Sequence, residues 1–203
     1  DTATAAILPG AGETTLGVVG GGQLGRMFVH AAQSMGYFTA VLDPDPASPA
    51  GRVSHHHVHA DYMDADGLAR LGNLCQATTT AFENVPAAAL TLLAAFGPVA
   101  PAASAVAIAQ DRAAEKAHFV GCGVPCAPYA LIDSEAQLAA VPDDLLPGIL
   151  KTTRMGYDGK GQVRVSTRAA LAAAWADLHQ VPCVLEKMLP LAFEVSVIVA
   201  RAR

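Results

Sequence analysis

At 203 residues, with 52% hydrophobic and 15% charged positions, the chain can fill one large or two small cores and lacks the composition of a disordered segment. A net charge of -5, from 13 basic and 18 acidic residues, gives no electrostatic footprint for nucleic acid. No apolar run approaches the roughly 18 residues of a membrane-spanning helix, no basic segment followed by an apolar core marks a signal peptide, and Cys75, Cys122, Cys126 and Cys183 have the spacing of neither a disulfide framework nor a zinc site, so they read as reduced thiols of a cytoplasmic protein.

Residues 1–14 read as a tail. Leu16-Gly17-Val18-Val19 is a short buried strand, followed by Gly20-Gly21-Gly22-Gln23-Leu24-Gly25-Arg26-Met27. Apolar residues at helical spacing predict a helix from Gln23 to about Met35. A second strand follows over 37–43, completing a βαβ unit. The Gly20-x-Gly22-x-x-Gly25 spacing, with Asp43 18 residues after Gly25, fits a dinucleotide fingerprint. The same glycines also suit close helix–strand packing, and Gln23 and Arg26 in the first helical turn suit a small phosphorylated substrate equally well.

A proline-rich loop over 44–54 leads to His55-His56-His57-Val58-His59. Alternation could put three of these histidines on one face for a metal, but no acidic or sulfur ligand stands beside them, and a partly exposed strand or loop is the simpler reading. A helix is expected over 64–76 and a strand over 77–82. That strand ends at Glu83-Asn84-Val85-Pro86, where Glu83 is either a site residue at a strand's carboxyl end or a cap for the helix over 87–96. One helix, capped by Ser104, is expected over 105–121. Its Asp111/Glu115 and Arg112/Lys116 pairs at i,i+4 read as a solvated charged face. After an extended segment at 127–132, Ser134 caps a helix near 135–141.

Gly148-Ile149-Leu150 then leads into Lys151-Thr152-Thr153-Arg154-Met155-Gly156-Tyr157-Asp158-Gly159-Lys160-Gly161-Gln162, and Gln162-Val163-Arg164-Val165 leads out. Two strands are thus joined by a loop with three glycines and several cations. This is either a clamp for nucleotide phosphates, with Lys151 as a point charge, or an ordinary glycine-rich hairpin. Ser166 or Thr167 caps a helix reaching about Leu178. Strands are expected at 184–186 and 193–199, and the second, apolar and without a following neighbour, suggests a truncated chain.

Taken in order, Gly20 to Met27, Val41-Leu42-Asp43-Pro44, Phe82-Glu83-Asn84-Val85, Gln110-Asp111-Arg112 with Glu115-Lys116, Tyr157 to Gln162, and Glu194-Val195-Ser196-Val197 resemble the 5-(carboxyamino)imidazole ribonucleotide synthase family of ATP-grasp ligases, over about residues 7–203. The resemblance implies an α/β fold. A Rossmann-like parallel sheet, the pre-ATP-grasp substrate domain, would span 15–103 after a tail at 1–14. A connecting helix would follow at 104–125, an ATP-grasp lid subdomain at 126–189, and the start of the large subdomain at 190–203. It implies ATP-dependent carboxylation of 5-aminoimidazole ribonucleotide by bicarbonate through carboxyphosphate, with Mg2+, in a cytoplasmic homodimer of purine biosynthesis.

Residue by residue, the resemblance gives Arg112 and Lys151 to ATP. It makes Gly156, Tyr157, Asp158, Gly159, Lys160, Gly161 and Gln162 the phosphate-covering loop, with Tyr157 and Lys160 closest to the chemistry. Glu186, Lys187, Met188 and Leu189 would line the adenine pocket, Glu194 would take the ATP ribose, and Gln23, Leu24 and Glu83 would hold the ribonucleotide. Lys187 stands where many members carry an acidic residue, a change of little weight if only backbone is presented there. Family motifs for magnesium (Asn-Glu) and for substrate (arginine and histidine) have no equivalent before Arg203, so the chain alone is expected not to turn over. The alternatives are a sibling ligase, such as formate-dependent glycinamide ribonucleotide transformylase, and a Rossmann NAD-binding oxidoreductase.

Overall fold

The computed structural model describes residues 7–9, 14–156 and 160–200. The chain divides into two units, residues 1–111 and 112–203.

The first unit is built on four parallel strands, β1 (Thr15–Val19), β2 (Phe38–Asp43), β3 (His56–His59) and β4 (Ala77–Thr80), in the order β3-β2-β1-β4. Successive strand residues point to opposite faces. Val18 and Val41 therefore pack with Val29 and Ala50, while Val19, Ala40, Leu42 and Val58 pack with Leu68, Leu71, Leu90 and Leu93. Both faces are covered, which is why the central strands β1 and β2 read as mostly apolar runs. The helices are α1 (Gln23–Ser34), α2 (Ala65–Leu74), α3 (Ala87–Leu93) and α4 (Ala103–Ala109). Asp64 starts α2 by accepting the Gly67 N–H at 2.6 Å. Because β2 and β4 flank β1 on opposite sides, the order reverses at β1, and a crevice opens at the carboxyl ends of β1 and β4.

The second unit carries α5 (Arg112–Gly121), α6 (Glu135–Ala140) and α7 (Arg168–Asp177) with an antiparallel sheet. Its strands are β5 (Tyr129–Ile132), β6 (Gly148–Thr152), β7 (Gln162–Val165) and β8 (Cys183–Lys187), in the order β5-β8-β6-β7. Ile132, Leu150, Val165, Cys183 and Leu185 form its core with Leu171 and Trp175 of α7. Alternation leaves Lys151 and Glu186 on the other face of the sheet. Ser134 and Thr167 cap α6 and α7, accepting the Gln137 and Ala170 N–H groups.

Three expectations are corrected. The single helix over 105–121 is two helices, and the N-cap of α4 is Ala102, with no side-chain hydrogen bond, so Ser104 does not cap it. The helical ladder breaks because the Arg112 N–H donates to Thr153 O at 2.9 Å, while the Asp111 N–H reaches back only to Ile108 O. The strand expected over 193–199 is not a strand: Phe193, Val195 and Ile198 are exposed, the last at 98%, and no described strand lies alongside to hydrogen-bond it. The fingerprint role of Asp43 fails because the residue is buried and both its carboxylate oxygens are engaged within the protein. Among the described residues no helix is long and apolar enough to cross a membrane.

Candidate functional site

In the first unit a cleft of about 380 Å³ lies at the crevice, lined by Gly22, Gln23, Leu24 and Gly25 together with Asp43, Ser48, Tyr62 and Phe82. Its wall is fastened by Asp43. One carboxylate oxygen accepts the Gly21 N–H at 2.6 Å and the Tyr62 hydroxyl at 2.9 Å, and the other accepts the Asp45 N–H at 2.8 Å. Both oxygens are engaged inside the protein and the residue is buried, so Asp43 is not placed to take a ribose, as a dinucleotide fingerprint requires. Burial first, then the hydrogen bond to Asp43 and its charge, push the Tyr62 hydroxyl well above its ordinary range and keep it a donor.

The glycines of this loop are there mostly for room. A Cβ at Gly21 would meet Ser48 Oγ at 2.5 Å, and one at Gly25 would run into the Gly20 carbonyl oxygen. Gly22 differs, for nothing lies within 4 Å of the position its Cβ would take. Gly22 also begins α1 with no side-chain cap and no acidic residue in the first turn. That helix start favours an anion, through its free N–H groups and its dipole.

Glu83 is exposed and lines a neighbouring cavity with Thr80, Pro101, Ala105, Val106 and Ala109; Ala81 and Phe82 border both spaces. The structure thus puts Gln23 and Leu24 in one cleft and Glu83 in the next, across Phe82. Glu83 does not cap α3, whose first-turn N–H groups receive no side-chain bond. Its carbonyl, with that of Val85, instead accepts from the Gln110 amide, which ties the end of β4 to the end of α4.

The histidines serve separate local purposes. His55 Nδ1 accepts the Thr39 N–H at 3.2 Å and its ring lies 4.5 Å from that of Phe38, while His59 Nε2 bonds the Pro44 carbonyl at 2.9 Å.

In the second unit the loop after β6 is held at its root. Arg112 donates to Thr152 O and to Gly156 O, each at 2.7 Å, so one guanidinium bridges the strand end and the loop. The Thr152 N–H donates to Gly161 O at 2.8 Å and closes the base. A Cβ at Gly156 would meet Arg112 Nη1 at 2.8 Å, and one at Gly161, where φ is +68°, would meet Thr152 Oγ1 at 2.6 Å. Gln162 opens β7 opposite Lys151 and is exposed, as is Lys160. Tyr157, Asp158 and Gly159 lie outside the described residues.

Beside this root, Glu186 of β8 accepts Lys151 Nζ at 2.9 Å on one oxygen and Lys116 Nζ at 3.1 Å on the other. Lys116 also stands 5.1 Å from the centre of the Tyr129 ring. Burial works against ionisation of Glu186, but the hydrogen bonds and charges of Lys151 and Lys116 outweigh it and hold the carboxyl below its ordinary range. The structure therefore brings Arg112, Lys151 and Glu186 to one loop root, and adds Lys116, which sequence reasoning assigned to a solvated face. Its side chain is only 11% exposed. The available signal was its i,i+4 spacing from Arg112, which puts both cations on one helix face.

Other positions stand apart. The Lys187 and Met188 N–H groups donate to Pro128 O and Pro147 O, so these two donors are already in use within the protein. Leu189 is exposed, and Glu194 lies in the exposed run 191–200, outside both sheets. Ser48 and Tyr62 escaped sequence reasoning as cleft residues because only the loop over 44–54 and the turn at 60–64 bring them there, whereas Asp43, at the end of β2, was singled out for a ribose and instead fastens the wall.

A family model described as "Ribonucleotide synthetase preATP-grasp domain" matches residues 13–110, and one described as "ATP-grasp domain" matches residues 117–203. The chain is 42% identical over 189 residues to the N5-carboxyaminoimidazole ribonucleotide synthase of Pseudomonas aeruginosa, covering 93% of this chain and 52% of that protein. It is 36% identical over 197 residues to that of Bacillus subtilis, covering 97% and 51%. Among solved structures, an N5-carboxyaminoimidazole ribonucleotide synthetase in complex with ADP matches with a TM-score of 0.85 at 36% identity, over 94% of this chain and 50% of that one. The synthase of Aspergillus clavatus in complex with ADP and 5-aminoimidazole ribonucleotide matches with a TM-score of 0.76 at 30% identity, over 87% and 46%. The chain spans about half the length of the curated relatives it matches.

Proposed function

Because this chain belongs to the N5-carboxyaminoimidazole ribonucleotide synthase family of ATP-grasp proteins, we propose that it serves the ATP-dependent carboxylation of 5-aminoimidazole ribonucleotide by bicarbonate, in purine biosynthesis. ATP phosphorylates bicarbonate to carboxyphosphate with release of ADP. The substrate amine then takes the carboxyl group, and phosphate leaves. The observation that carries this reading is the root of the Lys151-to-Gln162 loop, where Arg112 holds the loop by its carbonyls at 2.7 Å and Lys151 emerges beside it.

The chain's residues supply position and charge, the two things phosphoryl transfer needs most. Lys151 neutralises nucleotide phosphate, and Arg112 fixes the loop that covers it. Lys160 and Tyr157 reach the reacting groups from that loop. Glu186 to Leu189 border the adenine and Glu194 takes the ribose. In the first unit, the phosphate of the ribonucleotide sits at the uncapped start of α1 by Gly22, Gln23 and Leu24, with Glu83 binding a further part of the same molecule. Magnesium accompanies ATP in this proposal. Among the described residues no three His, Cys, Asp or Glu side chains converge on one point, so the described residues build no magnesium site of their own. A homodimer in the cytoplasm completes the reading.

The deciding assay measures ADP release by the full enzyme carrying this chain. ADP formation that needs both 5-aminoimidazole ribonucleotide and bicarbonate is expected. Stimulation by formate in place of bicarbonate would assign the chain to a sibling ligase, and tight NAD binding without ATP binding would return it to an oxidoreductase.

A further inference from the structure

We propose that Lys116 is a positioning residue for nucleotide binding: it keeps Glu186 neutralised when Lys151 leaves that carboxylate for a triphosphate. The inference rests on the ATP reading of the second unit.

Three observations carry it. First, Glu186 divides its oxygens, Oε2 to Lys151 and Oε1 to Lys116, at 2.9 and 3.1 Å. Each lysine has its own acceptor, so one can depart without disturbing the other. Second, the two lysines are held differently. The Lys116 side chain is 11% exposed and packs over the Tyr129 ring, on a helix outside the sheet. Lys151 is more open and lies near the end of β6, where the glycine loop begins. Lys151 is thus the partner able to turn toward a ligand. Third, two ammonium groups share one carboxylate, which leaves the cluster one positive charge in excess and makes an anion its natural additional partner.

Charge accounting gives the consequence. With Lys151 on a phosphate and Lys116 absent, Glu186 would be a largely buried carboxylate without a counter-ion, close to an incoming polyanion. Breaking a buried pair in that way is strongly unfavourable, and the two negative charges repel besides. With Lys116 in place the carboxylate stays paired throughout. Lys116 therefore supports ATP affinity without touching ATP.

The experiment is a double-mutant cycle read by equilibrium ATP binding to the full chain, with Lys116→Met, Glu186→Gln and the double variant. Methionine keeps an unbranched side chain over Tyr129 and removes only the charge. Lys116→Met is expected to weaken ATP binding about tenfold or more in the wild-type background and less than about twofold where Glu186 is already Gln. Lys116→Arg should restore most of the affinity. An equal loss in both backgrounds overturns the proposal, because Lys116 would then act on ATP directly or through packing; no loss in either overturns it as well. A wild-type chain that binds no ATP overturns the nucleotide reading itself, an outcome distinct from a chain that binds ATP without this coupling. Should Lys116→Met not fold, Lys116→Gln enters the cycle under the same criteria.

Discussion

Each unit holds a glycine-bearing loop, and the two are fastened by side chains of opposite charge. In the first, Asp43 accepts N–H groups, one of them from Gly21 within the loop. In the second, Arg112 donates to carbonyls, those of Thr152 and Gly156. An acidic anchor uses up the loop's donors, whereas a basic anchor uses up its acceptors. A loop gripped by its carbonyls keeps its N–H groups for anions, which suits the covering of phosphates. A loop gripped by an N–H keeps fewer, and the anion must turn to the start of the next helix, here at Gly22 and Gln23. Two similar glycine patterns thus present different faces to a ligand.

Substitutions can break this contrast. Gly25→Ala should have the largest effect, since its methyl would meet the Gly20 carbonyl oxygen, which is backbone and cannot swing aside. A loss of about 3 kcal/mol or more is expected, read as a lowered midpoint in urea. Asp43→Asn weakens three hydrogen bonds, turns one accepting oxygen into a donor and should cost about 2–3 kcal/mol. Were its cost near zero, the acidic anchor would be incidental. Arg112→Ala removes two charge-assisted bonds and should cost about 2 kcal/mol in the second unit, with ATP binding lost while ribonucleotide binding is kept.

A smaller effect comes with acid. The Glu186 carboxyl is held below its ordinary value of 4.5, so the folded chain binds that proton more weakly than the unfolded chain. Its contribution is therefore present in full above pH 4.5 and disappears as pH falls through the folded value. The stability lost between pH 7 and the folded value, read from denaturation curves, should be larger for wild type than for Glu186→Gln. Last is Gly22→Ala, with open space around the added methyl. It should cost only about 0.5 kcal/mol, as a weaker helix start, yet lower ribonucleotide affinity because the methyl projects into the cleft.

The regular elements were readable in the sequence because their periods are local: apolar runs for β1 and β2, alternation for β7, and cap residues at Ser134 and at Ser166 or Thr167. What could not be read depends on distant partners. The break between α4 and α5 is made by Thr153 O taking the Arg112 N–H, across 41 positions of chain. Lys116 leaves the solvent only because Glu186 waits 70 residues on. The loop at 151–162 was legible as a phosphate device or a hairpin, but its anchor was not, and the reason for Gly21 lay in Ser48. The run 193–199 shows the converse. Its alternation is that of a strand, and pattern without a hydrogen-bonding neighbour does not make one.

The buried thiols turn this division into a pair of clocks. Cys75 lies in the core of the first unit, 8% exposed, and Cys183 in that of the second, 1% exposed. Burial pushes their thiols up to about 12 and about 11, so in the native chain both are shielded and almost entirely unionised. Alkylation at Cys75 should therefore time the opening of the first core, and alkylation at Cys183 that of the second, while the more accessible Cys122 and Cys126 react at once. Equal rates would mean that the chain opens as one cooperative body, and unequal rates would rank its two halves, without a single engineered probe.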